Sequence, residues 1–322
     1  MKKILAVSCA VAVAVAGSGW AQSGSYPVRP VRLIVPFPPG GSVDFIARLV
    51  APGLSEGLGQ QVVVDNRSGA SGNIGAEMVA RAAPDGYTLM LHTIPFVANA
   101  FLYRRVPYDV LNGFAPVSLL SSSPSVVTVH PSLPVRSVRE LLALAKSRPG
   151  ALNYATAGPG TNPHIAGELF NFLGKANLVA VHFKGGGPGL VATISGEVEI
   201  SFSNIAETAA FVNAGRLRAL GVTSVKRSVA LPDVLTVAEA GLPGYEFVAW
   251  HGMLAPKGTP REIVALVNEQ LRKTMGAPEQ AKRFEDRGLD IIASSPGDFS
   301  AHLRSELEKW GRVIRERGMK AE

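Results

Sequence analysis

Residues 31–48 read VRLIVPFPPGGSVDFIAR, and this stretch decides the fold. Val31 to Val35 is a short apolar run with β-branched residues, which predicts a strand. Phe37-Pro38-Pro39-Gly40-Gly41 breaks it. From Val43 to Leu54 the spacing turns helical, with Val43, Ile46, Ala47 and Val50 on one face. The unit strand, glycine turn, helix then recurs. Gln61–Asp65 is a second strand, Ile74–Ala83 a second helix stopped near Pro84, and Tyr87–Leu91 a third strand. Alternating strands and helices imply a parallel sheet with right-handed crossovers.

A second set follows. Strands are expected at Val126–Val129, Leu152–Ala155, Leu178–Phe183, Val198–Phe202 and Ala219–Thr223. Helices are expected at Val138–Ser147, Pro163–Leu173, Pro188–Ser195 and Glu207–Ala214, and the tail is helical over Pro260–Met275 and Asp298–Arg317. Ser137 and Glu140 stand at capping-box spacing. The fold class is therefore α/β, as two doubly wound lobes. Such lobes turn their strand ends and helix starts toward a shared cleft.

At 322 residues the chain is long enough for two cores. Apolar residues make up 47% and charged residues 18%, which excludes a disordered chain. The first residues predict a cleaved signal peptide, residues 1–21: Lys2-Lys3, an apolar run from Ile4 to Ala16, and the small-x-small site Gly19-Trp20-Ala21 before Gln22. Cleavage removes Cys9, the one cysteine, and with it any disulfide, thiolate nucleophile or cysteine metal site. The product is expected in the periplasm, as a monomer. The net charge of +7 is spread thinly and interleaved with acids, as in Arg304-Ser305-Glu306. No nucleic-acid-binding pattern accompanies it, so no nucleic-acid partner is expected.

Three turns carry the chemistry. They are Phe37–Asp44, Thr156–His164 and Lys184–Gly189, each glycine-rich and each between a strand and a helix. Glycine allows close backbone approach, and a helix start offers unpaired N–H groups with partial positive charge. Ser42 and Asn162 stand where N-caps would, and Pro163 and Pro188 where first helical residues would. Together the turns predict a site for a carboxylate or phosphate that needs no arginine. Ser68–Gly75 has the spacing GxxGxxG rather than GxGxxG, so it reads as a helix cap and no cofactor is expected. There is no GxSxG, Walker lysine or HExxH motif, and the six histidines have no ligand-like spacing, so neither enzyme nor metal site is expected. An enzyme using His164 and Asp44 is the weakest alternative. Trp250 reads as core.

The same residues resemble a known family. VPFPPGGSVDFIAR (35–48), LNYATAGPGTNPHIAGELF (152–170), HFKGGGPGLVATISGEVEISFSN (182–204) and WHGMLAPKGTP (250–260) are similar to the Bug family, the periplasmic receptors of tripartite tricarboxylate transporters. The resemblance implies a flytrap of the periplasmic-binding-protein type II kind, crossed twice by the chain, near Ser122–Pro124 and Val248–Trp250. Lobe 1 would then comprise 22–123 and 249–322, and lobe 2 124–248. It implies a small organic acid or amino acid as ligand and membrane permease subunits as partners. An orphan sensor that shows its bound form to a membrane signalling partner is the alternative. Carried over by position, Phe37, Gly40, Gly41 and Asp44 would form the first loop. Thr156, Gly158, Gly160, Thr161 and His164 would form the second, with Gly185, Gly187 and Asn204 closing the site. Three departures stand out: Thr161 in a usually serine-type turn, Glu199 for the usual aspartate, and Gly187 and Gly189 where alanine is common.

Overall fold

The computed structural model describes residues 26–320, so the expected signal peptide lies outside the described residues. Strand β1 (Val31–Val35) falls where the sequence puts it. Its side chains alternate between faces, as strand geometry requires. Val31, Leu33 and Val35 join one core cluster and Ile34 the other. It pairs in parallel with β2 (Val62–Asn66) and β3 (Thr88–His92). Helix α1 (Ser42–Leu58) and helix α2 (Asn73–Ala80) supply the crossovers. Inside α1, Pro52 removes a backbone donor, at roughly 3 kcal/mol. Val43, Ile46, Val50, Leu54 and Leu58 are buried along one stripe. At about 1.5–3 kcal/mol per buried aliphatic side chain, that packing outweighs the proline.

Several elements were not legible as such, the strands Val248–Pro256 and Asp290–Ile291 and the helix Pro278–Glu285 among them. Helix α3 (Pro95–Leu102) follows β3. Strand β4 begins at Phe114, not Val126, and runs 16 residues to Val129. Its first part pairs antiparallel with β9 (Val248–Pro256), in a register from Phe114↔Pro256 to Pro124↔Val248. Its last part, Ser125–Val129, pairs antiparallel with β7 (Ile200–Asn204) on one side and β8 (Arg218–Val222) on the other. The sheets are therefore mixed, which corrects the all-parallel expectation. Each lobe keeps a parallel group, and the long crossing strands run against it.

In the second lobe β5 (Asn153–Thr156) pairs in parallel with β6 (Val179–His182) and β7. Helices α4 (Val138–Ser147), α5 (Asn162–Gly174), α6 (Gly186–Ser195) and α7 (Ile205–Asn213) connect its strands. The capping box of α4 forms in part. Glu140 N–H donates to Ser137 Oγ, while the Glu140 carboxylate accepts from Arg136 N–H, one residue before the cap. After β9 come α8 (Arg261–Gly276), α9 (Pro278–Glu285), the two-residue β10 (Asp290–Ile291) paired with β4, and α10 (Pro296–Arg317). Helix α10 lies over α3 and β4 of the first lobe. Trp250 belongs to this core: its indole N–H and that of Trp310 both donate to Glu306 Oε2 at 2.8 Å.

Candidate functional site

Between the lobes is a cleft with about 660 Å³ of empty space, part of it open to solvent. The first lobe lines it with Phe37, Pro38, Gly41, Ser42, Val43 and Thr93. The second lobe brings Thr161, Asn162, Gly185, Gly186, Asn204 and Glu207, and β4 adds Ser125. The starts of α1, α5, α6 and α7 thus open on one space. Each start carries about half a positive charge on N–H groups without intrahelical partners. No lysine, arginine or histidine lines the cleft among the described residues.

Asp44 organises the α1 turn. Its Oδ2 accepts from Gly40 N–H and Arg48 Nε at 3.0 Å, and Oδ1 accepts from Asn66 Nδ2 at 3.0 Å. Burial works against the charge. The hydrogen bonds from Arg48, Gly40 and Asn66, with the nearby guanidinium, outweigh it and hold the carboxyl below its ordinary range. Gly40, at φ +84°, turns the chain into this arrangement. The N-cap is Gly41 rather than Ser42, and the Asp44 carboxylate reaches back past it to the Gly40 amide, leaving the first-turn amides of α1 free.

The α5 turn is built in the same way from different groups. Thr161 Oγ1 donates to Gly158 O at 2.6 Å, and Gly158 N–H donates to Thr156 Oγ1 at 3.2 Å. Thr156 Oγ1 also meets His182 Nδ1 at 2.6 Å. His164 Nδ1 accepts from Gly160 N–H at 3.0 Å. Burial, helped by the neighbouring His182, pushes the His164 imidazole down to about 4, so it is neutral and serves as acceptor. Thr161, not Asn162, takes the N-cap position, with Pro163 second in the helix, and its hydroxyl is committed to Gly158. Gly185 caps α6, which places Pro188 third.

The lobes touch at the rim. Asn162 Nδ2 donates to Thr93 Oγ1 at 3.2 Å, and Ser71 Oγ donates to Pro159 O. A Cβ on Gly160 would stand 3.0 Å from Asn99 Oδ1 and 3.1 Å from Leu102 Cδ1; one on Gly185 would stand 3.2 Å from Pro38 Cγ. The Ser68–Gly75 stretch lies at this rim, with Gly72 as the N-cap of α2.

Of the residues singled out from the sequence, Phe37, Gly41, Thr161, Gly185 and Asn204 line the cleft. Gly40, Asp44, Thr156, Gly158, Gly160 and His164 stand behind them, holding the turns. Gly187 faces open space in the first turn of α6 and does not line the cleft. His164 and Asp44 are each tied into their own turn, so the pair does not face a common substrate position.

Sequence reasoning missed Ser125 and Glu207. Ser125 sits in a strand segment too polar to read as one. Glu207 follows Asn204 at capping-box spacing, and so passes for a cap. The structure keeps half of that box: Asn204 Oδ1 accepts from Ala206 N–H at 3.0 Å and from Ser123 Oγ at 2.9 Å. Glu207 does not return to the helix start. Desolvation pushes its carboxyl up to about 7. Among the described residues no cluster of histidine, cysteine and carboxylate groups could hold a metal ion.

Comparison with known proteins agrees with this architecture. A family model described as tripartite tricarboxylate transporter family receptor matches residues 46–319. BugT of Bordetella pertussis is 36% identical over 325 residues, which span 99% of each chain. A protein of R. palustris solved with adipate is 38% identical with a TM-score of 0.88, covering 92% of this chain and 99% of its own. MatC from Rhodopseudomonas palustris, solved with malate, is 32% identical with a TM-score of 0.86, covering 90% of this chain and 100% of its own. The fold is the two-lobed α/β fold of periplasmic binding proteins. Matched nearly end to end in sequence and in three dimensions, the chain belongs to the tripartite tricarboxylate transporter receptors, the Bug proteins.

Proposed function

We propose that the protein is an exported receptor that captures a small carboxylate-bearing metabolite in the inter-lobe cleft and delivers it to the membrane permease of a tripartite transporter. One observation carries this reading: several helix starts open on one cleft that, among the described residues, no basic side chain lines. Amides and hydroxyls, already fixed by Asp44, Thr156 and His164, hold a carboxylate without the reorganisation a mobile lysine would need. Phe37, Gly41, Thr161, Gly185 and Asn204 touch the ligand, and the glycines behind them keep the turns tight. Adipate and malate in the related structures are both dicarboxylates, which supports the ligand class.

The protein works as a monomer, without catalysis. The lobes are residues 22–123 with 249–322 and residues 124–248, in line with the place where β4 leaves β9 for β7 and β8. Ligand contacts from both sides favour the closed form, and only that difference in affinity shifts the population. Residues 1–21 direct export to the periplasm. The test is thermal melting of the purified protein against a panel of organic acids and amino acids. Ligand at about a hundred times its Kd adds about 2.7 kcal/mol of stability, which is several degrees. A panel in which no small carboxylate raises the melting temperature refutes the reading.

A further inference from the structure

Glu207 is out of place in a cleft built for anions. It is the one lining residue with an ionisable side chain among the described residues, and it carries the same sign as the expected ligand. It stands in the first turn of α7, with its Oε2 3.5 Å from where a Cβ on Gly186 would stand, beside the start of α6. No described group donates a hydrogen bond to it or pairs with it. It is half-buried, and a partly desolvated carboxylate with no protein partner favours whatever brings it a cation or a proton.

Its position also polarises the cleft. Beside α6 it cancels the attraction that this helix start would exert on a ligand carboxylate. The starts of α1 and α5 keep theirs, since Asp44 is already neutralised by Arg48 and the α5 turn holds no acid. The cleft therefore has an anion-seeking end at Gly41–Val43 and Thr161–Asn162, and a cation-seeking end at Gly186 and Glu207.

Resting on the carboxylate reading above, we propose that the ligand is a zwitterion: a small carboxylate that also carries a protonated amine, with Glu207 as the counter-charge for the ammonium group. An ammonium offers three donors to a carboxylate that has none. Once paired, Glu207 stays ionised, and the first turn of α7 favours that form. The other titratable groups near the cleft do not obscure its titration. Asp44 is paired with Arg48, and His164 and His182 are both pushed below the ordinary imidazole range by burial. Lys184 precedes the α6 turn but does not line the cleft.

The experiment is calorimetric titration of wild type and Glu207→Gln with matched pairs, succinate against 4-aminobutanoate and adipate against 6-aminohexanoate, at pH 6 and pH 8. In wild type the amine-bearing member of a pair binds tighter, and its affinity rises between pH 6 and pH 8 as Glu207 ionises. Glu207→Gln weakens it by about 10- to 100-fold, the worth of a charge-assisted hydrogen bond, and leaves the dicarboxylate unchanged or improved. If the dicarboxylates bind wild type tighter, and more so at pH 6, Glu207 acts as a protonated donor: the zwitterion proposal falls and the carboxylate receptor stands. If neither series binds, both fail. Should Glu207→Gln not fold, the wild-type pairs and their pH dependence decide the matter alone.

Discussion

Replacing Gly160 with alanine perturbs two things that a second variant separates. Gly160 has φ +72°, and an L-residue there costs about 1–2 kcal/mol of backbone strain. For a chain of this size that lowers the melting temperature by roughly 2–8 °C. The new Cβ also stands 3.0 Å from Asn99 Oδ1 and 3.1 Å from Leu102 Cδ1, which belong to the opposite lobe. That crowding exists only while the lobes are together. Overpacking of this kind costs about 1–3 kcal/mol, equivalent to about a 5- to 150-fold weaker Kd. Gly59→Ala is the control. Gly59 has φ +66° with nothing within 4 Å of its would-be Cβ, so it carries the strain without the inter-lobe contact. Melting temperature and ligand affinity are measured on both variants, with the tightest-binding acid of the panel. Both should melt earlier by similar amounts, and only Gly160→Ala should bind more weakly. Equal affinity in the two variants would refute the reasoning, because the lobes would then not meet at Gly160 in the bound form.

Asp44→Asn keeps the shape of the α1 turn and loses the charge that Arg48, Gly40 and Asn66 address. It should cost about 1–3 kcal/mol in urea unfolding. Because the Asp44 carboxyl is held below its ordinary value, its share of stability is present above that value and lost as pH falls through the folded one; melts of the variant should flatten in acid. His92, His164 and His251 are buried and neutral, pushed from 6.5 down to about 3, 4 and 4 by desolvation. The unfolded chain binds those protons first, so wild-type stability should fall as pH drops from about 6.5 toward 4. His164→Gln should remove one share of that slope, which melts across this range will show. Glu306→Leu leaves the Trp250 and Trp310 indole N–H groups without their acceptor, and should cost about 2–5 kcal/mol in chemical unfolding followed by tryptophan fluorescence.

The parts of the fold that were legible are those where one local signal suffices. Val31–Val35 and Val138–Ser147 match their elements end to end, because apolar periodicity, a glycine or proline break and a Ser137 cap all agree there. The crossing strands were hidden. In β4, Ser118, Ser121, Ser123 and Ser125 are buried, and the hydroxyls of the first three are satisfied by Ser294 O, His251 and Asn204, so the strand reads as polar while lying in the core. In β9, Gly252 breaks the pattern because the Phe299 ring lies against it, 2.1 Å from where a Cβ would stand. Such partners come from far along the chain, and no local window contains them. The same division runs through the site. The glycine turns are local and readable. Which of their residues line the cleft depends on how Asp44 and His164 fold back on their own loops, and Glu207 shows its character only when nothing is found opposite it.

The most direct measurement is a crystal structure with the tightest-binding acid in place. The ligand's carboxylate should accept hydrogen bonds from first-turn amides of α1 and α5, around Val43 and Asn162, with its other end toward Gly186 and Glu207. A carboxylate seated outside the cleft, or held there by a lysine or arginine in place of these amides, would contradict the account.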